Sequence, residues 1–333
     1  MTDRRLIYLV VAACLASSLT AGAQSLPGFT LAGEQWTYNP GDGGAIITGI
    51  LVKPSTNAPR PGVLISHGKG GTATGFSLPK AREMTNWGAV CIGPNYTHAG
   101  SANNSPDNEG WCPENSRRAR ACLTILASLG YVDTNRIGAY GNSMEAFATA
   151  GLCGEIGYRI RVAAITAGGT SGTTNVDFAA PATQEVQTMT APFLMLHGTT
   201  DTTVLPIQSA NLQSILASNA VPNNRVLFDG IGHDLSNNPA TADTVHQLIH
   251  DWFTAWRLFG ATNATPQLAV SVSSGGGVKL AWDRAALVTT IERSTNLIPW
   301  LPSLASVTNR FEWSDPTLVP SVPRVFYRIR QTE

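Results

Sequence analysis

From residue 24 to residue 260, short apolar runs alternate with segments of helical periodicity, and few folds accommodate that pattern. The runs "GVLISHG", "AVCIGPNY", "RIGAYG", "RVAAITAGG", "APFLMLHG" and "NRVLFDGIGH" read as strands. Between and after them lie the helical patterns "AREMTNWG", "SRRARACLTILASLG", "SMEAFATAGLCG", "SANLQSILASNA" and "ATADTVHQLIHDWFTAWRLFG". Strands that are apolar on both faces belong in a sheet covered on both sides, hence a parallel one. Right-handed crossovers then imply a doubly wound, mostly parallel α/β sheet. "EQWTYNP" and "AIITGILVKP" are expected to lead it as an antiparallel pair. Gly130 is expected to cap the second helix.

After residue 260 the pattern becomes all β. Residues 261–266 read as a linker closed by Pro266. Residues 267–333 contain "QLAVSVSSGGGVKLAW", "VTTIERSTN", "NRFEWSDP" and "RVFYRIRQ". These short alternating runs, broken by Gly, Pro and Asn, suggest a small β-sandwich as a second domain.

The chain begins with a basic "MTDRR", an apolar run over residues 6–19 and small residues at Ala21 and Ala23. That is the layout of a signal peptide, residues 1–23, cleaved before Gln24, for a secreted or periplasmic protein. The apolar run is shorter than the roughly 20 residues of a spanning helix. Lipid attachment at Cys14 is the other reading, disfavoured because the apolar run continues beyond it. Lys and Arg number 22 and Asp and Glu 22, so the basic footprint of a nucleic-acid binder is missing. Cys91, Cys112, Cys122 and Cys153 remain in the mature chain. In an oxidising compartment they are expected to form disulfides, in one of three complete pairings, although Cys91 also suits a core thiol. Their spacing does not suggest a zinc site, and no metal ligand set is assigned.

Three residues at successive strand ends carry the chemistry. Ser143 lies between "RIGAYG" and the helix that follows, where a sharp turn would lift its hydroxyl above the sheet. Asp201 follows the strand "APFLMLHG", and His233 follows "NRVLFDG". The order Ser, Asp, His is that of a nucleophile, an orienting acid and a base in one particular architecture. The backbone N–H of Met144 would start a helix beside the nucleophile and serve the oxyanion. A second donor is expected from "LISHGKGGTATG", at Lys69 or Gly70. That glycine loop is not a phosphate loop, since Lys69 is followed by Gly70 and Gly71.

On "HGKGG", "GNSM", "HGTTD" and "GIGHD", residues 35–259 resemble the α/β-hydrolases, in the style of compact dienelactone hydrolase-like and secreted esterase-like members. The resemblance implies ester hydrolysis through an acyl-serine with no cofactor, on a small-molecule or polymeric ester. The tail resembles β-sandwich modules appended to secreted proteins, for which contact with a polysaccharide or cell surface is the expectation.

The sequence departs from the family's Gly-x-Ser-x-Gly turn at Glu145, where strand and helix backbones pass closely. Either the carboxylate turns into a polar crevice or pairs with a cation, or the turn is distorted and the chain is a non-catalytic binding protein. A carboxylate near His233 would also favour the charged imidazole and move the activity optimum upward in pH. A secreted peptidase or amidase is the other rival. Tyr96 and Trp111, in the long connection "YTHAGSANNSPDNEGWCPENS", are candidates to line a cleft or merely to anchor their loop. No long insertion resembles a lid, so an open cleft is expected. His246 and His250, four apart, are read as one face of the closing helix. His98 receives no role.

Overall fold

The computed structural model describes residues 26–259, apart from 56–57, 102–108, 156–159 and 173–179, and the backbone of six strands beyond residue 267. The expected signal segment and the linker lie outside the described residues. Three short strands lead the chain: β1 (Phe29–Ala32), β2 (Gln35–Tyr38) and β3 (Ile47–Val52). Then come β4 (Arg60–Ser66), α1 (Leu78–Asn86), β5 (Val90–Pro94), α2 (Pro113–Ser128), β6 (Val132–Asn142) and α3 (Met144–Gly154). They are followed by β7 (Val162–Thr166), α4 (Thr183–Val186), β8 (Phe193–Gly198), α5 (Ile207–Ser218), β9 (Asn223–Phe228) and α6 (Ala242–Ala255).

These strands form one nine-stranded sheet in the order β1-β2-β3-β5-β4-β6-β7-β8-β9. From β5 to β9 every neighbouring pair is parallel, while β1, β2 and β3 form an antiparallel meander joined to β5. The leading unit is thus three strands rather than the expected pair. β1 is a short edge strand with three exposed residues, so its apolar signal is weak. The chain runs from β4 through α1 to β5, then returns through α2 to β6 on the other side of β4. The winding therefore reverses between β4 and β6, and a doubly wound sheet opens its crevice at the carboxyl ends of such a strand pair.

Side-chain alternation builds the two cores. Leu64, Ala139, Ile165, Phe193 and Met195 pack with Cys122, Ile125 and Leu126 of α2, Ala146 and Ala150 of α3, and Leu212 and Leu216 of α5. Their strand neighbours Val63, Ile65, Tyr140, Ala164, Leu194 and Leu196 pack on the other face with Met84 of α1 and Val245, Ile249 and Phe253 of α6. Each fully buried Val, Leu, Ile, Phe or Met side chain among them contributes about 1.5–3 kcal/mol. Truncating the wholly buried Ile249 to alanine is expected to cost about 2–5 kcal/mol, read from the urea midpoint.

Two local expectations are corrected. Helix α2 ends at Ser128, and the N–H of Leu129 closes the last turn on the carbonyl of Leu126. Gly130 is not among the residues with positive φ, so it does not cap the helix. The cysteines are not paired: Cys91 in β5, Cys112 before α2, Cys122 in α2 and Cys153 in α3 are all buried free thiols. Burial pushes the Cys91 thiol up to about 12, and also raises Cys122 and Cys153, so they behave as small apolar core side chains. Cys112 accepts the N–H of Asn115 at 3.4 Å and caps α2.

Beyond residue 267 the backbone forms β10 (Leu268–Val272), β11 (Val278–Trp282), β12 (Val288–Ser294), β13 (Leu301–Val307), β14 (Glu312–Ser314) and β15 (Phe326–Thr332). They make two antiparallel three-stranded sheets, β10-β11-β14 and β13-β12-β15. No helix among the described residues is long and apolar enough to cross a membrane.

Candidate active site

Ser143 stands between the end of β6 and the start of α3 with φ 55° and ψ −121°. A side-chain-bearing residue at positive φ is strained, and such strain concentrates at functional turns. The turn is held on both sides: the Ser143 N–H donates to the Thr166 carbonyl at the end of β7, and the Ala146 N–H to the Ser143 carbonyl, both at 2.9 Å. Gly141 makes it sterically feasible. A Cβ there would stand 2.2 Å from Thr149 Oγ1 and 2.5 Å from the Glu145 carbonyl oxygen. Gly141→Ala is expected to destabilise by about 1–3 kcal/mol through this overpacking. An unaltered urea midpoint would contradict that.

The hydroxyl of Ser143 lies 2.7 Å from His233 Nε2, and His233 Nδ1 lies 2.8 Å from Asp201 Oδ2. A carboxylate can only accept, so Nδ1 carries the proton and Nε2 is left to accept from the serine. Asp201 is itself fixed: its Oδ1 accepts the N–H groups of Thr203 and Val204 at 2.9 Å each. It is 2 % exposed, and buried His197 stands 3.3 Å from its Oδ2 while donating to the Val204 carbonyl at 2.8 Å. The base loop is pinned to the elbow by Asn142, whose Oδ1 accepts from Ser236 and from Thr166. The three residues read from sequence thus meet at the carboxyl ends of β6, β8 and β9.

The loop after β4 passes directly over the serine. A Cβ at Gly68 would come 3.0 Å from Ser143 Cβ and 3.1 Å from Asn142 Nδ2, so a side chain here would crowd the serine turn. Gly71 N–H closes the turn on the Gly68 carbonyl, which leaves Lys69 and Gly70 at its tip, Gly70 exposed with φ 70°. The Lys69 ammonium pairs with the buried Glu109 carboxylate at 2.8 Å. Among the described residues, the backbone N–H groups of Met144 and Lys69 donate to no protein acceptor.

Glu145 turns inward and is fully buried. Its Oε1 lies 2.6 Å from His98 Nε2 and 3.1 Å from Asn115 Nδ2. Burial pushes its carboxyl well above the usual range, and burial likewise lowers His98 to about 4. The expected influence on His233 is therefore corrected: the carboxyl group is held by His98 and Asn115. Nor does Glu145 line an open cleft. Tyr96 does not either, being 1 % exposed with its hydroxyl on Ser66 Oγ at 2.8 Å. Trp111 packs flat over Gly151 of α3, where any Cβ would strike the indole, and so anchors its loop.

Sequence reading missed His67, His98, Asn115 and His197. Two of them, His67 and His197, precede the glycine that ends an apolar strand, which is the one signal that could have raised them. His67 donates from Nδ1 to the Gly68 carbonyl and accepts the Tyr96 N–H at Nε2. Burial lowers it from the model-compound value of 6.5 to about 4. A base whose folded pKa is depressed binds its proton more readily unfolded, so its contribution is present above pH 6.5 and lost as pH falls towards 4. His67→Asn is expected to flatten the decline of Tm across that window; an equally steep decline would exclude the contribution. His246 and His250 belong instead to a cleft of about 330 Å³ between α1 and α6, where His246 Nδ1 pairs with Glu83 and both rings meet Trp87 edge-on.

Comparison with solved structures places this architecture. A thermophilic esterase from Thermogutta terrifontis superposes with a TM-score of 0.55 at 15% identity, covering 72% of this chain and 96% of that one. A puromycin-hydrolysing peptidase of Mycobacterium tuberculosis gives 0.54 at 17% identity, covering 65% and 38%. An acylaminoacyl peptidase of Pyrococcus horikoshii gives 0.55 at 13%, covering 68% and 42%. The chain thus spans well under half the length of either peptidase. The fold these proteins share with residues of the large sheet is the α/β-hydrolase fold. No protein-family model and no curated protein matches the sequence.

Proposed function

We propose that the protein is a serine hydrolase that cleaves carboxylic esters, in the style of compact dienelactone hydrolase-like and secreted esterases. The relay from Ser143 through His233 to Asp201, with both hydrogen bonds under 3 Å, carries the reading. Ser143 Oγ attacks the acyl carbon as His233 Nε2 takes its proton, and Asp201 stabilises the imidazolium. The N–H groups of Met144 and Lys69 receive the oxyanion. His233 then gives the proton to the departing alcohol, leaving an acyl-serine. Water, deprotonated by the same imidazole, releases the acid. No cofactor enters these steps. The near-complete coverage of the Thermogutta esterase, against the partial coverage of the larger peptidases, supports esters over peptides.

The test uses the chain from Gln24 with short-chain p-nitrophenyl esters, matched anilides and a fluorophosphonate. Ester turnover well above anilide turnover, with phosphonate on Ser143, is expected. Faster anilide cleavage would make the protein an amidase or peptidase. A folded chain with neither turnover nor label would make it a binding protein.

The same proposal has the chain exported after cleavage at Ala23, with residues 267–333 forming a small β-sandwich that contacts a polysaccharide or cell surface. N-terminal sequencing of the exported protein should read from Gln24, and a lipid on Cys14 would replace that. Retention on insoluble polysaccharide should be greater for the full chain than for residues 24–260.

A further inference from the structure

We infer that Glu145 is a positioning residue for the oxyanion donors, acting through the buried His98–Asn115 pair; this rests on the hydrolase reading above. Packing alone does not call for a carboxylate there. The crowding at the start of α3 is already relieved by Gly141, and by Gly168, where a Cβ would lie 2.3 Å from Ala146 Cβ. Yet the chain buries both Glu145 and His98 completely, with Glu145 Oε2 and His98 Nδ1 unpartnered among the described residues. Such burial is costly and persists where surrounding contacts enforce it.

What it accomplishes is a closed circuit around the nucleophile. Glu145 follows Met144, one oxyanion donor, in the first turn of α3. Its Oε1 bonds to His98 and Asn115. Asn115 Oδ1 accepts both the N–H and the hydroxyl of Thr97, at 3.0 and 2.9 Å. The neighbouring Tyr96 N–H donates to His67 Nε2, and the His98 ring meets the His67 ring edge-on at 5.2 Å. His67 holds the Gly68 carbonyl at 2.9 Å, and Gly68 passes over Ser143 into Lys69, the second donor. The two donors come from elements that share no strand pairing of their own beyond β4 and β6. The circuit ties the loop of one to the helix of the other.

Glu145→Gly restores the family's glycine and breaks the circuit; Glu145→Gln keeps an acceptor for Asn115 and His98. With wild-type turnover in hand, Glu145→Gly is expected to lower kcat by about 10–100-fold with KM roughly unchanged, as small displacements of preorganised donors do. Glu145→Gln should restore kcat to within roughly threefold of wild type. Amide hydrogen exchange over residues 67–71 should quicken in Glu145→Gly and not in Glu145→Gln. A folded Glu145→Gly chain with wild-type kcat, or with unaltered exchange at 67–71, overturns the inference and leaves the hydrolase reading standing. An inert wild type fails the hydrolase reading instead, and exchange at 67–71 still decides the coupling. If Glu145→Gly does not fold, His98→Asn carries the same expectations and the same refutation.

Discussion

Ser143→Ala is expected to reduce kcat on a p-nitrophenyl ester by about 10⁵–10⁶-fold while leaving the fold intact. Among the described residues, the hydroxyl it removes bonds to His233 alone, and the partly buried position keeps its Cβ, so no buried group is orphaned. The strained φ of 55° is unchanged by the substitution, since alanine meets the same steric limits as serine. Measured Tm should stay within a few degrees of wild type. A variant that still turns over at a tenth of the wild-type rate would remove Ser143 from the reaction.

Asp201→Asn is the second large effect, about 10⁴-fold in kcat. The structure dictates how the amide must sit. Thr203 and Val204 each point an N–H at the position of Oδ1, so the amide oxygen belongs there. The NH₂ group then faces His233 Nδ1, which must give up its proton to accept. The proton moves to Nε2, and the imidazole presents a donor to Ser143 where an acceptor is required. Nitrogen NMR of the His233 ring should show the exchanged tautomer. A variant with full activity and an unaltered tautomer would mean that the carboxylate does not orient the base.

The meeting of Ser143, His233 and Asp201 was legible because each sits one or a few residues past an apolar strand, and carboxyl ends of parallel strands share one edge of the sheet. The sheet itself was legible from the same runs. What escaped reading involved partners remote in sequence. Glu145 registered as an exception to a pattern, but His98 lies 47 residues from it and Asn115 30 residues, and no local rule links them. From sequence Tyr96 suits a cleft lining or a loop anchor; its hydroxyl finds Ser66, at the end of β4, which local sequence does not reveal. Gly130 looked like a cap because glycine follows a helical pattern there, yet the turn had already closed at Leu129. The compartment the N-terminus suggests favours disulfides, whereas burial decides the chemistry of the cysteines.

Those four thiols make the molecule its own reporter of opening. Each is hidden in the native state, and each sits on a different element or at its start: the sheet at Cys91, the cap of α2 at Cys112, the middle of α2 at Cys122 and the end of α3 at Cys153. A maleimide reagent can reach a site only after that element has come away from its neighbours, so the rate of labelling measures local opening free energy site by site. Cys112, at a loop-to-helix junction, should react ahead of Cys91 in the central sheet. Mass spectrometry of the peptides would then map the order in which the hydrolase fold comes apart, with no engineered probe and no change to the chain.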